Sequence, residues 1–472
     1  MSGPARCADQ LTQSATGWST PLLSTRPNPG LVSALARALL AGEPGVEPMV
    51  ARCAELLGHP WRWLRPLARR YWAIYRDGLR PRHREVERFL RDDVGLQLAW
   101  ARHSDRLTAV RLLTGPQQMQ PLDAAQLWKV PAIDSVGALS QWLGLDTLEL
   151  AWFADLKGWQ RVAAEQPRLR HYHYRVMAKR SGSLRLIESP KGRLKGLQRR
   201  ILRYILERIP AHPAAHGFAK GRSIRTFAEP HAGRRVVLRM DLKDFFPSIT
   251  RVRVQALFRT AGYPELVADL LGGICANIAP RHVWNGAEEL AGRKELCEAR
   301  ELYARPHLPQ GAPTSPALAN LCAFRLDCRL AGLARSAGAV YTRYADDLAF
   351  SGDEAFERGV ERFSAHVAAI LLEEGFTPQF RKTRIMRQGV RQRLAGLVVN
   401  RQVNVSRAEV DRLKAILTNC VRQGPTSQNR ENRPHFREHL AGRVGFVEMV
   451  NAVKGRRLRK ILEQIPWGTE GN

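Results

Sequence analysis

The sequence predicts an α+β fold in which an antiparallel sheet carries a cluster of carboxylates between two helical regions. Three observations lead there. Val236-Val237-Leu238-Arg239-Met240 has the β-branched, apolar character of a buried strand and runs into Asp241. Val340-Tyr341-Thr342-Arg343 and Leu348-Ala349-Phe350 flank Tyr344-Ala345-Asp346-Asp347 closely enough to read as a β-hairpin with two adjacent acids at its tip. Before residue 145 and beyond Asn400, apolar residues instead recur at helical spacing.

Taken in order, residues 1–30 are rich in Ser, Thr, Pro and Gly and read as a flexible lead-in. Residues 31–145 form a helical N-terminal extension, opening with Leu31, Ala34, Leu35, Ala38 and Leu39 on one face. Trp61, Trp63, Leu67, Tyr71, Trp72 and Tyr75 follow, interleaved with Arg62, Arg65, Arg69 and Arg70. Such a stretch reads first as an amphipathic helix that buries its aromatic face. A surface that stacks RNA bases is the alternative. Asp146-Thr147-Leu148-Glu149 has the spacing of a capping box and opens a helix from Leu148 to about Lys157. Residues 146–400 contain the strands and the acids. Residues 401–472 are helical again, over Glu409–Cys420 and Phe436–Met449, and end in a basic cluster at Lys454-Gly455-Arg456-Arg457-Leu458-Arg459-Lys460.

Adjacent carboxylates repel, and a fold gains nothing from holding them together unless a cation offsets the repulsion. Hard divalent cations such as Mg²⁺ prefer carboxylate oxygens and leave room for phosphate. Asp241 and Asp346 lie 105 positions apart. A strand-end acid and a hairpin-tip pair can therefore converge from separate elements, which suits two metals roughly 3.5–4 Å apart acting on a phosphate ester. Asp244 reads as the cap of a short helix entered near Pro247.

The 74 Lys and Arg against 44 Asp and Glu give a net charge of +30, which steers the chain toward polyanions. An arginine-rich proteome explains Arg over Lys but not so large an excess. No run of about 18 apolar residues and no charged-then-apolar signal start appears, so no membrane role is expected. The seven cysteines lack C-x-x-C spacing and read as thiols of a reducing cytoplasm, without a zinc site.

From about Lys179 to Ile465 the chain resembles the reverse transcriptases, and within them the bacterial retron type. Five ordered blocks carry the resemblance. They are Ser183–Ile187 with Ser189-Pro190 and Leu194–Leu202; Ala215-His216-Gly217-Phe218 with Gly221–Ile224; Met240–Ile249; Leu308-Pro309-Gln310-Gly311-Ala312-Pro313-Thr314-Ser315-Pro316; and the Tyr-Ala-Asp-Asp hairpin ending in Phe350-Ser351-Gly352. The resemblance implies a right-hand polymerase, with fingers and a palm over 146–400 and a helical thumb over 401–472. It implies that Asp241, Asp346 and Asp347 are catalytic and, with the carbonyl of Leu242, hold two Mg²⁺ ions, for which Mn²⁺ can substitute. Lys382 takes the place of the lysine that protonates or stabilises departing pyrophosphate. Arg185, with Lys179 or Arg180 upstream, would clamp the triphosphate, and Gln310 would face the incoming nucleotide. Phe246 occupies the steric-gate position that excludes a 2′-hydroxyl, leaving Phe245 to the core. Lys454, Arg456, Arg457 and Lys460 would contact the RNA backbone.

Implied partners are a structured noncoding RNA serving as template and primer, deoxynucleoside triphosphates, the DNA product with its RNA–DNA hybrid, and a host ribonuclease H, since no such domain is evident here. Antiviral defence is the implied purpose. Two motifs depart from the retron pattern. Phe227-Ala228-Glu229-Pro230-His231 stands where Asn-Ala-x-x-His is usual, and Leu394-Ala395-Gly396 where Val-Thr-Gly is usual. Two other readings stay open. One is another bacterial reverse transcriptase lineage of the intron or abortive-infection and defence kind. The other is a noncatalytic RNA-binding scaffold on the same fold. The absence of a long extension after the thumb disfavours a fused maturase–endonuclease.

Overall fold

A computed structural model of the chain describes residues 26–78, 80–111, 117–162, 167–179 and 182–467. It divides into two compact units, Met1–Gln118 and Met119–Asn472. This division falls ahead of the 145/146 boundary read from sequence. The helices Val136–Leu143 and Thr147–Ala154 place Leu139, Leu143 and Leu150 in the core of the second unit. Most of the lead-in expected over 1–30 lies outside the described residues, and Pro29 already opens a helix.

In the first unit, helices Pro29–Leu40, Val46–Leu57, Leu64–Tyr75, His83–Asp92 and Val94–His103 enclose Leu35, Leu39, Leu67, Tyr71, Val86, Leu90 and Leu96. From Leu64 the aromatic stretch is an amphipathic helix, while Trp61-Arg62-Trp63 forms the turn that leads into it. Leu67 and Tyr71 are buried, and Trp61, Trp63, Trp72 and Tyr75 pack against the core. Arg62, Arg65, Arg69 and Arg70 point outward. Arg70 grips Asp93 with two hydrogen bonds of 2.7 and 2.9 Å, and Asp93 in turn caps the next helix through the Leu96 N–H at 2.8 Å.

The second unit is built around an antiparallel sheet. With β1 Tyr172–Ala178 and β2 Leu184–Pro190 forming a separate ribbon, the sheet consists of β3 Val236–Lys243, β4 Val340–Tyr344, β5 Asp347–Gly352, β6 Thr377–Pro378 and β7 Arg384–Arg387. β3 is central. It pairs with β5 along one edge and with β6 and β7 along the other, and β4 lies outside β5. Burial on both faces explains why β3 reads as a continuous apolar run rather than an alternating one. Helix Glu354–Glu373 closes the sheet with Phe356, Val360, Phe363 and Val367, and Phe350 stacks on Tyr341 at 4.8 Å.

The capping box at Asp146 forms as expected, with the Glu149 N–H on Asp146 at 2.7 Å and the Asp146 N–H on Glu149 at 3.3 Å. The helix it opens is shorter than expected, because Asp155 turns left-handed at φ 42° and stops it after Ala154. Beyond the sheet, β8 Arg393–Leu394, β9 Leu397–Val398 and β10 Asn404–Val405 form a small ribbon. Ala395 and Gly396 make its first turn with φ of 43° and 90°. A β-branched residue resists a positive φ, so Ala in place of the usual Thr suits this backbone. Helices Arg407–Gln423, Phe436–Val450 and Ala452–Glu463 then pack through Leu413, Leu417, Leu440, Val444 and Leu458.

Candidate active site

The acids meet near the C-terminal end of β3. Asp241 stands directly opposite Asp347 in the β3–β5 register, and Ala345-Asp346 forms the two-residue turn between β4 and β5. The Leu242 N–H donates to the Asp346 carbonyl at 2.9 Å, so strand end and turn are joined through the main chain. The three carboxylates therefore converge as the sequence predicts.

Their electrostatics are those of crowded acids. Burial first, then the negative charges of Asp241 and Asp347, push the Asp346 carboxyl up to about 6. Burial also raises Asp347, against the pull of Arg239. Two cations answer part of this charge. Lys382 Nζ lies 2.8 Å from Asp241, and the Arg239 guanidinium donates twice to Asp347 at 2.8 and 2.5 Å. Among the described residues no group of three or more His, Cys, Asp or Glu closes on a metal geometry. The donor set is nevertheless all hard oxygen with a surplus of negative charge, which fits a divalent cation such as Mg²⁺.

The turn rests on a buried scaffold. Ala345 takes a left-handed φ of 55° although it is not glycine. A Cβ on Gly217 would sit 2.6 Å from the Ala345 nitrogen, so only glycine fits beneath the turn. Arg343, wholly buried, forms a bidentate pair with equally buried Asp327 at 2.7 and 2.6 Å. It also donates to Asn320 at 3.0 Å and to the Ala345 carbonyl at 3.2 Å, while Asn320 donates to the Gly217 carbonyl at 2.7 Å. Buried His231 bridges β4 and β5, lying 2.7 Å from both Ser351 and Thr342. The Thr342 hydroxyl donates to the Phe227 carbonyl at 2.9 Å, so it accepts from His231 Nε2–H. Burial pushes the imidazole down to about 3, which leaves the ring neutral.

The nucleotide-side residues fall as follows. Phe245 is buried and packs on Phe376, with ring centroids 5.8 Å apart. Phe246 is half-buried, with its ring 6.0 Å from that of exposed Phe218. Arg185 is exposed on β2. Gln310 follows Pro309 in a loop whose Gln310 carbonyl accepts from the Glu188 N–H at 2.9 Å. Lys179 Nζ binds Asp244 at 2.7 Å, which corrects the reading of Asp244 as a helix cap. Asp244 does hold the N-cap position, but at a left-handed φ of 50° its side chain caps nothing and turns to Lys179. Arg180 lies outside the described residues.

In the last helix Arg456, Arg457 and Lys460 are all exposed, whereas Lys454 is half-buried with Nζ 3.5 Å from Asn404. The neighbouring Arg459 is drawn onto Glu448 at 2.8 and 2.5 Å. Sequence reasoning missed Arg239, Asn320, Asp327 and the bridging role of His231. Only Arg239 left a local signal, as a charge in an apolar strand two residues before Asp241 and hence on the same face.

The reverse transcriptase family (RNA-dependent DNA polymerase) matches residues 177–411. The retron Mx65 reverse transcriptase of Myxococcus xanthus is 45% identical over 306 residues, covering 64% of this chain and 66% of that protein. The retron Mx162 reverse transcriptase of the same organism is 40% identical over 338 residues, covering 69% and 65%. The retron Ec86 reverse transcriptase of Escherichia coli is 33% identical over 276 residues, covering 58% and 74%. The matches thus span just under two thirds of the Mx65 and Mx162 proteins.

Proposed function

We propose, from the premise that this chain belongs to the retron reverse transcriptases, that it is an RNA-directed DNA polymerase copying a structured noncoding RNA into single-stranded DNA. One observation supports this reading most. Asp241 and Asp347 face each other in register on the adjacent strands β3 and β5, and a third acid, Asp346, crowded and buried, lies in the turn that leads from β4 into β5. A fold carries that electrostatic cost for a cationic ligand, not for its own stability.

Asp241, Asp346, Asp347 and the Leu242 carbonyl are the groups that would hold two Mg²⁺ ions. When bound, such ions supply activation of the attacking hydroxyl oxygen and charge stabilisation at the leaving phosphate. The chain's own residues do the rest. Arg239 fixes the Asp347 carboxylate by holding one of its oxygens. Lys382 brings positive charge and a transferable proton to the departing pyrophosphate. Arg185 and Lys179 bind triphosphate oxygens, Arg185 with the planar fork suited to them. Gln310 orients the incoming nucleotide, and the half-exposed Phe246 ring excludes a 2′-hydroxyl. Arg456, Arg457, Lys460 and Lys454 hold the template–primer through its phosphates, without reading sequence.

The substrate partners in this reading are a noncoding RNA that templates and primes, deoxynucleoside triphosphates, and the resulting RNA–DNA hybrid. A host ribonuclease H removes the RNA, and the DNA product serves antiviral defence.

The test is Asp346→Asn. DNA synthesis with Mg²⁺ on a primed RNA is expected to be lost while the protein stays folded, with thermal stability equal to or above wild type, because the amide removes one of three crowded charges. Primer extension at the wild-type rate by the variant would sink the assignment.

A further inference from the structure

A second cluster of buried charge lies away from the acids, where β2 meets the loop carrying Gln310. Glu188, on β2, is wholly buried. Its carboxylate accepts from His307 Nε2 at 2.9 Å and from the Asn277 amide at 2.8 Å. His307 is also buried, and its other ring nitrogen lies 2.7 Å from the Arg305 carbonyl. Both ring nitrogens therefore face acceptors, so both carry protons and the ring is an imidazolium. Burial opposes that charge, but Glu188 wins, and His307 sits above the usual histidine range.

The main chain repeats the connection. The Glu188 N–H donates to the Gln310 carbonyl at 2.9 Å. Gly311, at φ 134°, lies so close that a Cβ there would stand 2.8 Å from the Glu188 carbonyl oxygen. His307 and Asn277 exchange two backbone hydrogen bonds of 2.9 Å. The segment 307–311 thus touches one residue at three points: the His307 ring, the Gln310 carbonyl and Gly311. Glu188 also stands three positions from Arg185 on the same strand, with its side chain on the buried face while that of Arg185 is exposed.

We infer that the Glu188–His307 pair is a latch that sets the Gln310 loop against the Arg185 strand, making both residues positioning residues for the incoming deoxynucleoside triphosphate. Neither touches the nucleotide. An ion pair so fully buried adds little net stability over an apolar pair of the same volume, so its presence calls for a reason in specificity. Here that reason is register. A single strand residue fixes the distance between the group assigned to the triphosphate and the group assigned to the nucleoside, and a small misplacement of such groups is costly to binding.

The inference rests on the polymerase reading, and its test separates the two. With poly(rA)·oligo(dT), dTTP and Mg²⁺, Glu188→Gln and His307→Gln each keep a hydrogen bond and remove a charge. Each is expected to raise KM for dTTP about tenfold, with kcat within twofold of wild type and the KM for the template–primer unchanged. A folded variant with wild-type KM for dTTP, whatever its thermal midpoint, overturns the latch and leaves a merely structural pair. If one variant does not fold, the other decides alone. If neither folds, Asn277→Ser, which removes one donor to Glu188 together with its 3.1 Å bond to the Tyr174 hydroxyl, is expected to raise KM for dTTP two- to threefold, and an unchanged value overturns the latch. Asp346→Asn in the same assay reports on the polymerase reading independently, because it abolishes synthesis whether or not the latch exists.

Discussion

The hairpin that carries Asp346 and the last helix, Ala452–Glu463, are both dense in charge, yet they hold it in opposite ways. Around the hairpin the charges are held in fixed pairs at hydrogen-bond distance: Asp241 with Lys382, Asp347 with Arg239, and beneath them Arg343 with Asp327. On the helix, Arg456, Arg457 and Lys460 stand in solvent, and Arg459 is tied down to Glu448. Fixed charge in a low-dielectric setting acts at one point, and its loss cannot be shared. Solvated charge on a helix face acts as a field, so neighbouring residues substitute for one another. Single substitutions should therefore be severe at the hairpin and graded on the helix.

The sharpest way to break the contrast is Asp327→Asn. It leaves the wholly buried Arg343 guanidinium without its counter-charge, and the expected loss of stability is about 3–5 kcal/mol by chemical denaturation. The Arg343 bond to the Ala345 carbonyl holds the turn, so DNA synthesis should fall further than stability alone explains. Asp327→Leu combined with Arg343→Met should recover much of the stability but not the synthesis. Recovery of both would mean that the pair fills space and does not shape the turn.

A similar contrast exists between neighbours in sequence. Phe245 is buried against Phe376, whereas Phe246 is half-exposed beside Phe218. Phe245→Ala should cost about 3–5 kcal/mol with sugar preference unchanged. Phe246→Ala should cost less and raise ribonucleotide incorporation relative to deoxynucleotide. Measuring unfolding and nucleotide choice on both variants decides which ring is the gate.

These contrasts also mark what can be read from one sequence. The strand that carries Asp241, the hairpin and the helices over Arg407–Gln423 and Phe436–Val450 follow from local periodicity, although the strand runs on past Asp241 to Lys243. The partners that fix the acids are not local. Arg239 reaches Asp347 across 108 positions, and His231 reaches Thr342 and Ser351 across 111 and 120. Nothing in the spacing of a lone buried histidine says which strands it will bridge. In the sequence, His231 stands out only as the end of a motif whose first residue is Phe here. The structure gives that Phe227 a core role, with its ring 5.8 Å from Tyr344 of the hairpin. Asp244 misled for the related reason that a residue before a helix is a cap by default until a distant lysine takes its side chain.

His231 supplies a test by pH. Its native pKa is pushed down to about 3, against about 6.5 when unfolded. Because the folded value is depressed, the neutral ring's contribution is complete above pH 6.5. It is lost as pH falls, by about 1.4 kcal/mol per unit, until the folded value is reached. His171 and His216, each pushed down to about 4 by burial, add to the same slope. His231→Asn should be about 1–3 kcal/mol less stable at pH 7 but lose stability less steeply below pH 6.5, so that the two curves meet between about pH 6 and pH 4.5. Parallel curves would place the acid sensitivity elsewhere.

The smallest effects belong to the last helix, and they sharpen the comparison most directly. If Arg456, Arg457 and Lys460 bind phosphates, removing each one should reduce the slope of log affinity against log salt by about 0.7–0.9. Replacing all three with Gln should flatten the slope by roughly two units and weaken cognate and unrelated RNA alike. Single replacements should shift it by less than one unit. Lys454, half-buried beside Asn404, should change the slope less than Arg456 or Arg457, while Arg459→Gln should act mainly on stability by releasing Glu448. The helix interior is untouched by these changes, since Leu458 and Leu462 carry the packing and Gly455 seats the helix against Glu448. Unfolding midpoints of the triple variant should therefore stay near wild type. An unchanged salt slope would show that the basic face is only solvated, and the basic surface of helix Leu64–Tyr75 and the turn before it, with Arg62, Arg65 and Arg69 exposed, would be the next surface to neutralise.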